Sequence, residues 1–179
     1  MKNNVALIGF MGTGKSAVGR LLAQKIDWKF VETDNLVEQI AGKKIPDIFR
    51  EDGEIRFREL EIEAVKQAAA GKNQVIACGG GVVLNTINIS RLKQNGVVVL
   101  LTAAPSTILK RVSADKTVRP LLKDAGDTGE RIRELMKLRQ PFYSHAADII
   151  VHTSRLNMEQ TAESVLKELK NYAGFGITQ

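Results

Sequence analysis

The apolar run Val5–Ile8 leads directly into Gly9-Phe10-Met11-Gly12-Thr13-Gly14-Lys15-Ser16, which satisfies G-x-x-x-x-G-K-[ST]. That junction leaves the chain little choice. A buried strand has to stop, the backbone has to curl where glycines permit it, and a helix has to begin near Lys15. The curl turns successive N–H groups toward one point, and the positive end of the new helix faces the same way, so the loop is built for a phosphate. Lys15 adds a mobile positive charge at the β- and γ-phosphates of a nucleotide, and the Ser16 hydroxyl is placed to ligate Mg²⁺.

The rest of the chain alternates short β-branched or apolar runs with longer amphipathic stretches, the pattern of a buried parallel sheet flanked by helices. Strands are expected at Val5–Ile8, Lys29–Val31, Gln74–Ala77, Val97–Leu101 and Ile149–Val151. Helices are expected to begin near Lys15, Asn35, Glu54, Thr86, Ser106, Glu130 and Met158. With 179 residues and no internal repeat or low-complexity linker, residues 1–179 are read as one domain. From Ser113 to Thr128 the sequence turns polar and loses its periodicity, which reads as a surface loop or as a lid over a bound phosphate. Gly174–Gln179 is expected to fray.

Composition excludes several classes. The single cysteine, Cys78, cannot form an internal disulfide or a paired-thiolate metal site, so the natural setting is the reducing cytoplasm. Gly12, Gly14 and Lys15 interrupt the first apolar run before a signal-peptide core develops, and no run approaches the ~20 apolar residues of a membrane span. A net charge of +6 invites nucleic acid, but acids are interleaved with bases, as in Arg50-Glu51-Asp52 and Lys167-Glu168-Leu169-Lys170. Aromatic residues make up only 5% of the chain, too few for a base-stacking platform, so the positive excess is read as steering for small anions.

Two other readings share the loop. Gly12-Thr13-Gly14-Lys15-Ser16-Ala17 also fits G-x-G-x-x-G/A, with Glu32 and Asp34 near the place of a ribose-binding acid, as in an NAD-dependent oxidoreductase. A Lys-Ser pair has no task on a dinucleotide pyrophosphate, and the chain leaves little room for a second half and a substrate domain. A guanine-nucleotide switch would use the same loop, but the sequence contains no N-K-x-D. An ATP-using small-molecule kinase is the reading that remains.

Six segments in order sharpen it: the phosphate loop, Asp34 after the second strand, Phe57-Arg58-Glu59-Leu60-Glu61, Gly79-Gly80-Gly81, Arg119-Pro120-Leu121-Leu122, and Leu138-Arg139-Gln140-Pro141-Phe142-Tyr143. In these residues and their spacing the chain resembles the shikimate kinases along nearly its whole length. The resemblance implies a three-layer α/β P-loop kinase fold with a five-stranded parallel sheet in the order 2-3-1-4-5. Residues 34–60 would form a helical substrate-binding segment and 113–128 a lid. The implied reaction carries the γ-phosphoryl of ATP to the 3-hydroxyl of shikimate, a step toward chorismate and the aromatic amino acids, in a cytoplasmic monomer without nucleic-acid or membrane partners.

By position alone, Asp34 is either a helix cap or a ligand-facing carboxylate at the end of a parallel strand. The resemblance makes it the catalytic base, with Lys15 and Arg119 as catalytic cations. It places ATP on Gly12, Thr13, Gly14, Lys15, Ser16 and Ala17, with Arg111 packed on the adenine, Arg119 reaching over the phosphates and Arg155 in the adenine loop. Shikimate falls to Asp34, Phe57, Arg58, Glu61, Gly79, Gly80, Gly81 and Arg139. Arg58 and Arg139 would clamp its carboxylate and Glu61 would hold Arg58. Mg²⁺ falls to Ser16 and, through water, to Glu32. The chain departs from the family in Glu32-Thr33-Asp34, where Asp-x-Asp is usual, and in Met158, where a proline is common. The same arrangement with another small acid, such as gluconate, is the alternative within kinases. Trp28, His145 and His152 are read as structural.

Overall fold

The computed structural model describes residues 2–114 and 127–176. Its strands are β1 (Asn4–Ile8), β2 (Lys29–Glu32), β3 (Gln74–Ala77), β4 (Gly96–Thr102) and β5 (Ile149–His152). The helices are α1 (Lys15–Lys25), α2 (Thr33–Ala41), α3 (Ile45–Glu51), α4 (Gly53–Ala70), α5 (Thr86–Asn95), α6 (Pro105–Ala114), α7 (Thr128–Ala146) and α8 (Met158–Asn171), with a 3₁₀ turn at Val82–Leu84.

All strand pairs are parallel and the order is β2-β3-β1-β4-β5, as expected. Strand β1 lies between two crossover partners, Val5 pairing with Val75 on one side and Val97 on the other. The chain reverses its direction of winding there, and the crevice at the carboxyl ends of such strands is where ligands collect. The phosphate loop leaves β1 into that crevice.

Strand alternation divides the core. Ala6, Ile8, Ile76, Val98 and Leu100 face one apolar layer together with Val65 and Ile132 of the covering helices. Val5, Leu7, Val75, Val97 and Val99 face the other, against Leu22 of α1 and Val165 of α8. A third cluster, Val37, Ile48, Phe57, Leu60 and Ala64, joins α2, α3 and α4 and fixes the segment that carries the acceptor-side residues. Among the described residues, no helix is long and apolar enough to cross a membrane.

The elements depart from expectation in places that have physical causes. Helix α2 begins at Thr33 rather than Asn35. Helix α3 was not anticipated: Pro46 reads as a breaker, but in the first turn of a helix its missing N–H loses no hydrogen bond. The stretch read as a lid is helical at both ends, since Ser113 and Ala114 belong to the last turn of α6 and Thr128 opens α7, where Asp127 Oδ1 accepts from the Gly129 and Glu130 N–H groups at 2.7 and 3.0 Å. The core of that stretch, 115–126, lies outside the described residues. The expected fraying is corrected as far as residue 176: Lys2 N–H donates to Gly174 O at 2.9 Å and Phe175 lies against Trp28 at 5.6 Å. Trp28 is structural, as read.

Gly9 links sheet and site. It has φ 146°, and a Cβ there would run into the Leu101 carbonyl oxygen of β4. Gly9→Ala is expected to lose ~1–3 kcal/mol from backbone strain alone, read as a fall in the urea midpoint; an unchanged midpoint would mean that the loop is not held against β4.

Candidate active site

The phosphate loop is pinned by its own side chains. Thr13 Oγ1 donates to Phe10 O at 2.8 Å and closes a tight turn. Lys15 Nζ folds back to donate to Gly9 O at 2.8 Å and Phe10 O at 3.0 Å, lying along the loop it is expected to serve. Gly14 precedes α1 and no side chain caps the helix, so its first-turn N–H groups face the crevice without a protein acceptor from a cap. Ser16, exposed at the start of α1, donates its hydroxyl proton to Glu32 Oε1 at the end of β2. Glu32 Oε2 is held by Arg20 at 3.1 Å and Asn35 at 3.4 Å. A hydroxyl and a carboxylate in contact are hard oxygen donors suited to Mg²⁺, which keeps several waters and needs few protein ligands. Among the described residues, no cluster of three or more His, Cys, Asp or Glu could hold a metal by itself. Glu32, one methylene longer than the usual aspartate, reaches the same hydroxyl.

Across the crevice, three elements converge on Gly79-Gly80-Gly81 at the end of β3. From α2, buried Thr33 accepts the Gly79 N–H at 2.9 Å. Asp34 sits beside it inside the first turn, past the N-cap position held by Glu32, which removes the helix-cap reading. A Cβ on Gly79 would lie 2.6 Å from Asp34 Oδ1 and 3.2 Å from Glu61 Oε1. From α4, Arg58 donates Nη1 to Glu61 Oε2 at 3.1 Å and Nη2 to Glu54 Oε1 at 2.8 Å, and lies over the Phe57 ring at 5.1 Å. Its guanidinium would overlap a Cβ on Gly81. From α7, buried Arg139 reaches Gly80 O at 3.4 Å.

Burial dominates the electrostatics here. Removal from water pushes the Asp34 carboxyl above its ordinary range, against the opposing pull of Lys15. Glu61, 1% exposed, is raised for the same reason despite Arg58 beside it, and its Oε1 has no hydrogen-bond partner among the described residues. Burial likewise pushes the Cys78 thiol far up, which suits a packed side chain and not a nucleophile.

On the opposite side of the loop, Arg111 donates Nη1 to Gly12 O and Thr153 Oγ1, both at 3.1 Å, and Nη2 to Thr153 O at 3.0 Å. It thereby ties the loop to the chain leaving β5, beside a cavity of about 670 Å³ that Gly14, Asn157 and Met158 also line. Ala17 is half-buried in α1. Arg155 is exposed in the loop between β5 and α8, and Thr153 is the residue of that loop that meets the phosphate loop. Phe57 is buried against Phe49 at 4.7 Å, within the cluster that supports Arg58. Arg119 lies outside the described residues.

Two site residues were given no role from the sequence. Thr33 was seen only as an interruption between two acids, although a hydroxyl residue at a strand end is a ready partner for the neighbouring backbone. Tyr143 lies one turn beyond Arg139 on the same helix face, and that i, i+4 spacing was its signal. Its hydroxyl donates to Gly80 O, and burial raises it to about 12, so it stays protonated as a donor.

The family model described as "Shikimate kinase" matches residues 11–170. The chain is 48% identical over 164 residues to a shikimate kinase of Caldanaerobacter subterraneus subsp. tengcongensis, covering 92% of this chain and 94% of that one. In three dimensions it resembles the shikimate kinase of Acinetobacter baumannii solved in complex with shikimate, with a TM-score of 0.90 at 34% identity over 97% of this chain and 96% of that one. A gluconokinase of Sinorhizobium meliloti, 14% identical with a TM-score of 0.59 over 94% and 92% of the two chains, shares the fold alone.

The raised carboxyls at Asp34 and Glu61 fix a sign. Each binds its proton more tightly in the folded chain, so each supports the fold at low pH and loses that support as pH rises through its raised folded value. Asp34→Asn is therefore expected to raise the thermal midpoint at pH 7, with the gain fading toward pH 4. A midpoint lowered at pH 7 would contradict the balance of burial over Lys15.

Proposed function

We propose that this chain, which belongs to the shikimate kinase family, transfers the γ-phosphoryl group of ATP to the 3-hydroxyl of shikimate. The observation that carries the reading is the convergence of Asp34, Arg58 and Arg139 on Gly79–Gly81, across one crevice from the phosphate loop. A carboxylate beside two guanidiniums and three side-chain-free residues suits a small hydroxy acid, since a guanidinium offers a planar fork to two oxygens.

Each group then has a task. Arg58, braced by Glu54 and Glu61, and Arg139, set against the Gly80 carbonyl, hold the acceptor's carboxylate. The side-chain-free backbone of Gly79–Gly81 admits its ring. Asp34 orients the reacting hydroxyl and takes its proton as the phosphoryl group arrives, and burial makes it a stronger base than an ordinary aspartate. Lys15 leaves its loop carbonyls for the β- and γ-phosphates, and the amides of Gly12–Ala17 cradle them. Ser16 and, through water, Glu32 would hold Mg²⁺, which when bound would neutralise phosphate charge. Arg111 keeps its N–H edge on Gly12 and Thr153 and leaves its planar face for the adenine, in the cavity beside Met158. Arg119 stabilises charge on the transferred group and Arg155 supports the nucleotide; both assignments rest on motif position. The enzyme is assigned as a monomer of the cytoplasm.

The test is coupled ADP release from Mg²⁺-ATP with shikimate, with gluconate and with no acceptor. Turnover is expected with shikimate alone and should fall about a hundredfold or more in Asp34→Asn with ATP affinity retained. ADP release indifferent to shikimate would leave an ATP site without this acceptor. Arg58→Lys and Arg139→Lys are expected to raise KM for shikimate about tenfold or more while KM for ATP stays near the parent value. Equal rises for both substrates would remove the clamp.

A further inference from the structure

A second cavity, of about 640 Å³, lies between β4, β5 and α7. This is the size of a small-molecule site, and its make-up follows the usual rule of apolar walls with few polar groups. Leu100, Ala104, Met136 and Ile150 supply the apolar wall, and Ile150 is 49% exposed on an edge strand. Arg133 and Lys137 supply its cations, and no Asp or Glu lines it.

The two residues stand four apart on α7, where like charges repel along a helix face. Arg131, close by, is paired with Glu134 at 3.4 Å, whereas neither Arg133 nor Lys137 is in a salt bridge among the described residues. Arg133 acts at a distance on Asp127, whose carboxylate is engaged in capping α7. Two cations without a salt bridge among the described residues, over an exposed apolar wall, complement one kind of occupant, a small molecule with an apolar body and a negative charge.

The cavity backs onto the phosphate loop at Phe10 and Thr13 but is a different space from the sites already described. It shares only Thr13 with the cavity beside Arg111, and the acceptor cluster lies beyond Tyr143, whose ring lines this cavity while its hydroxyl reaches Gly80. We propose that the α7–β5 cavity is a second ligand site, for a compact apolar anion held by Arg133 and Lys137.

The test uses the full chain with Mg²⁺-ADP and shikimate at saturation to fill the catalytic crevice. The probes are 8-anilinonaphthalene-1-sulfonate and its uncharged counterpart N-phenyl-1-naphthylamine, followed by fluorescence. The sulfonate is expected to bind at one equivalent and about tenfold or more tighter than the neutral probe, the size of one charge-assisted contact pair. In the exposed double variant R133E/K137E its affinity should fall about tenfold or more, with the neutral probe's affinity and the thermal midpoint unchanged. Displacement of the sulfonate by Mg²⁺-ADP and shikimate, equal affinity for both probes, or indifference to the double variant would each overturn the proposal.

Discussion

Gly79 has no side chain, and the acceptor side of the crevice exists on that condition. Thr33 reaches the Gly79 amide, while Asp34 and Glu61 occupy the space a Cβ would need. Two residues on, the Arg58 guanidinium fills the corresponding space at Gly81. Helices α2 and α4 can therefore close onto the end of β3 only through glycines. The third apolar cluster, with Val37, Ile48 and Phe57, then holds those helices in that position. Packing at a distance from the crevice sets the separation of its charges.

Those charges are a burden on the fold. Two carboxyls held above their ordinary range, Glu61 fully buried and Asp34 half-buried, with Arg58 and Arg139 among them, form an ionic group whose removal from water opposes folding. Only part of the opposition is relieved, since Glu61 Oε1 has no partner among the described residues. A chain selected for stability alone would fill such a place with apolar side chains, and charge kept there at that disadvantage is a mark of chemistry.

Much of this was legible in the sequence because the signals were local. The phosphate loop is a contiguous string whose backbone demands are satisfied by its own residues, and the buried strands read as unbroken apolar runs since both faces of a parallel sheet are covered. Strand order and the roles of Asp34, Arg58 and Arg139 came through likeness to a family, for no spacing in a single sequence says that residues 34, 58, 79 and 139 meet. What escaped was non-local or ambiguous. Thr33 and Tyr143 act on backbone groups of residues 79 and 80, and nothing nearby in the chain announces those partners. Pro46 hid a helix because the same residue stops one helix and starts another. Arg111 was read for adenine alone, whereas its N–H edge fastens two loops.

Pro141 lies inside α7, between Arg139 and Tyr143. A proline cannot return a hydrogen bond to the carbonyl four residues earlier, here that of Lys137. Helix α7 thus runs from Thr128 to Ala146 with one rung of its ladder missing. Arg139 and the cation pair of the second cavity stand before the proline and Tyr143 stands after it. Both stretches touch the Gly80 carbonyl. That oxygen splints the helix at the place where its own backbone bonding is short, so the glycine end of β3 steadies the element that in turn lines the crevice.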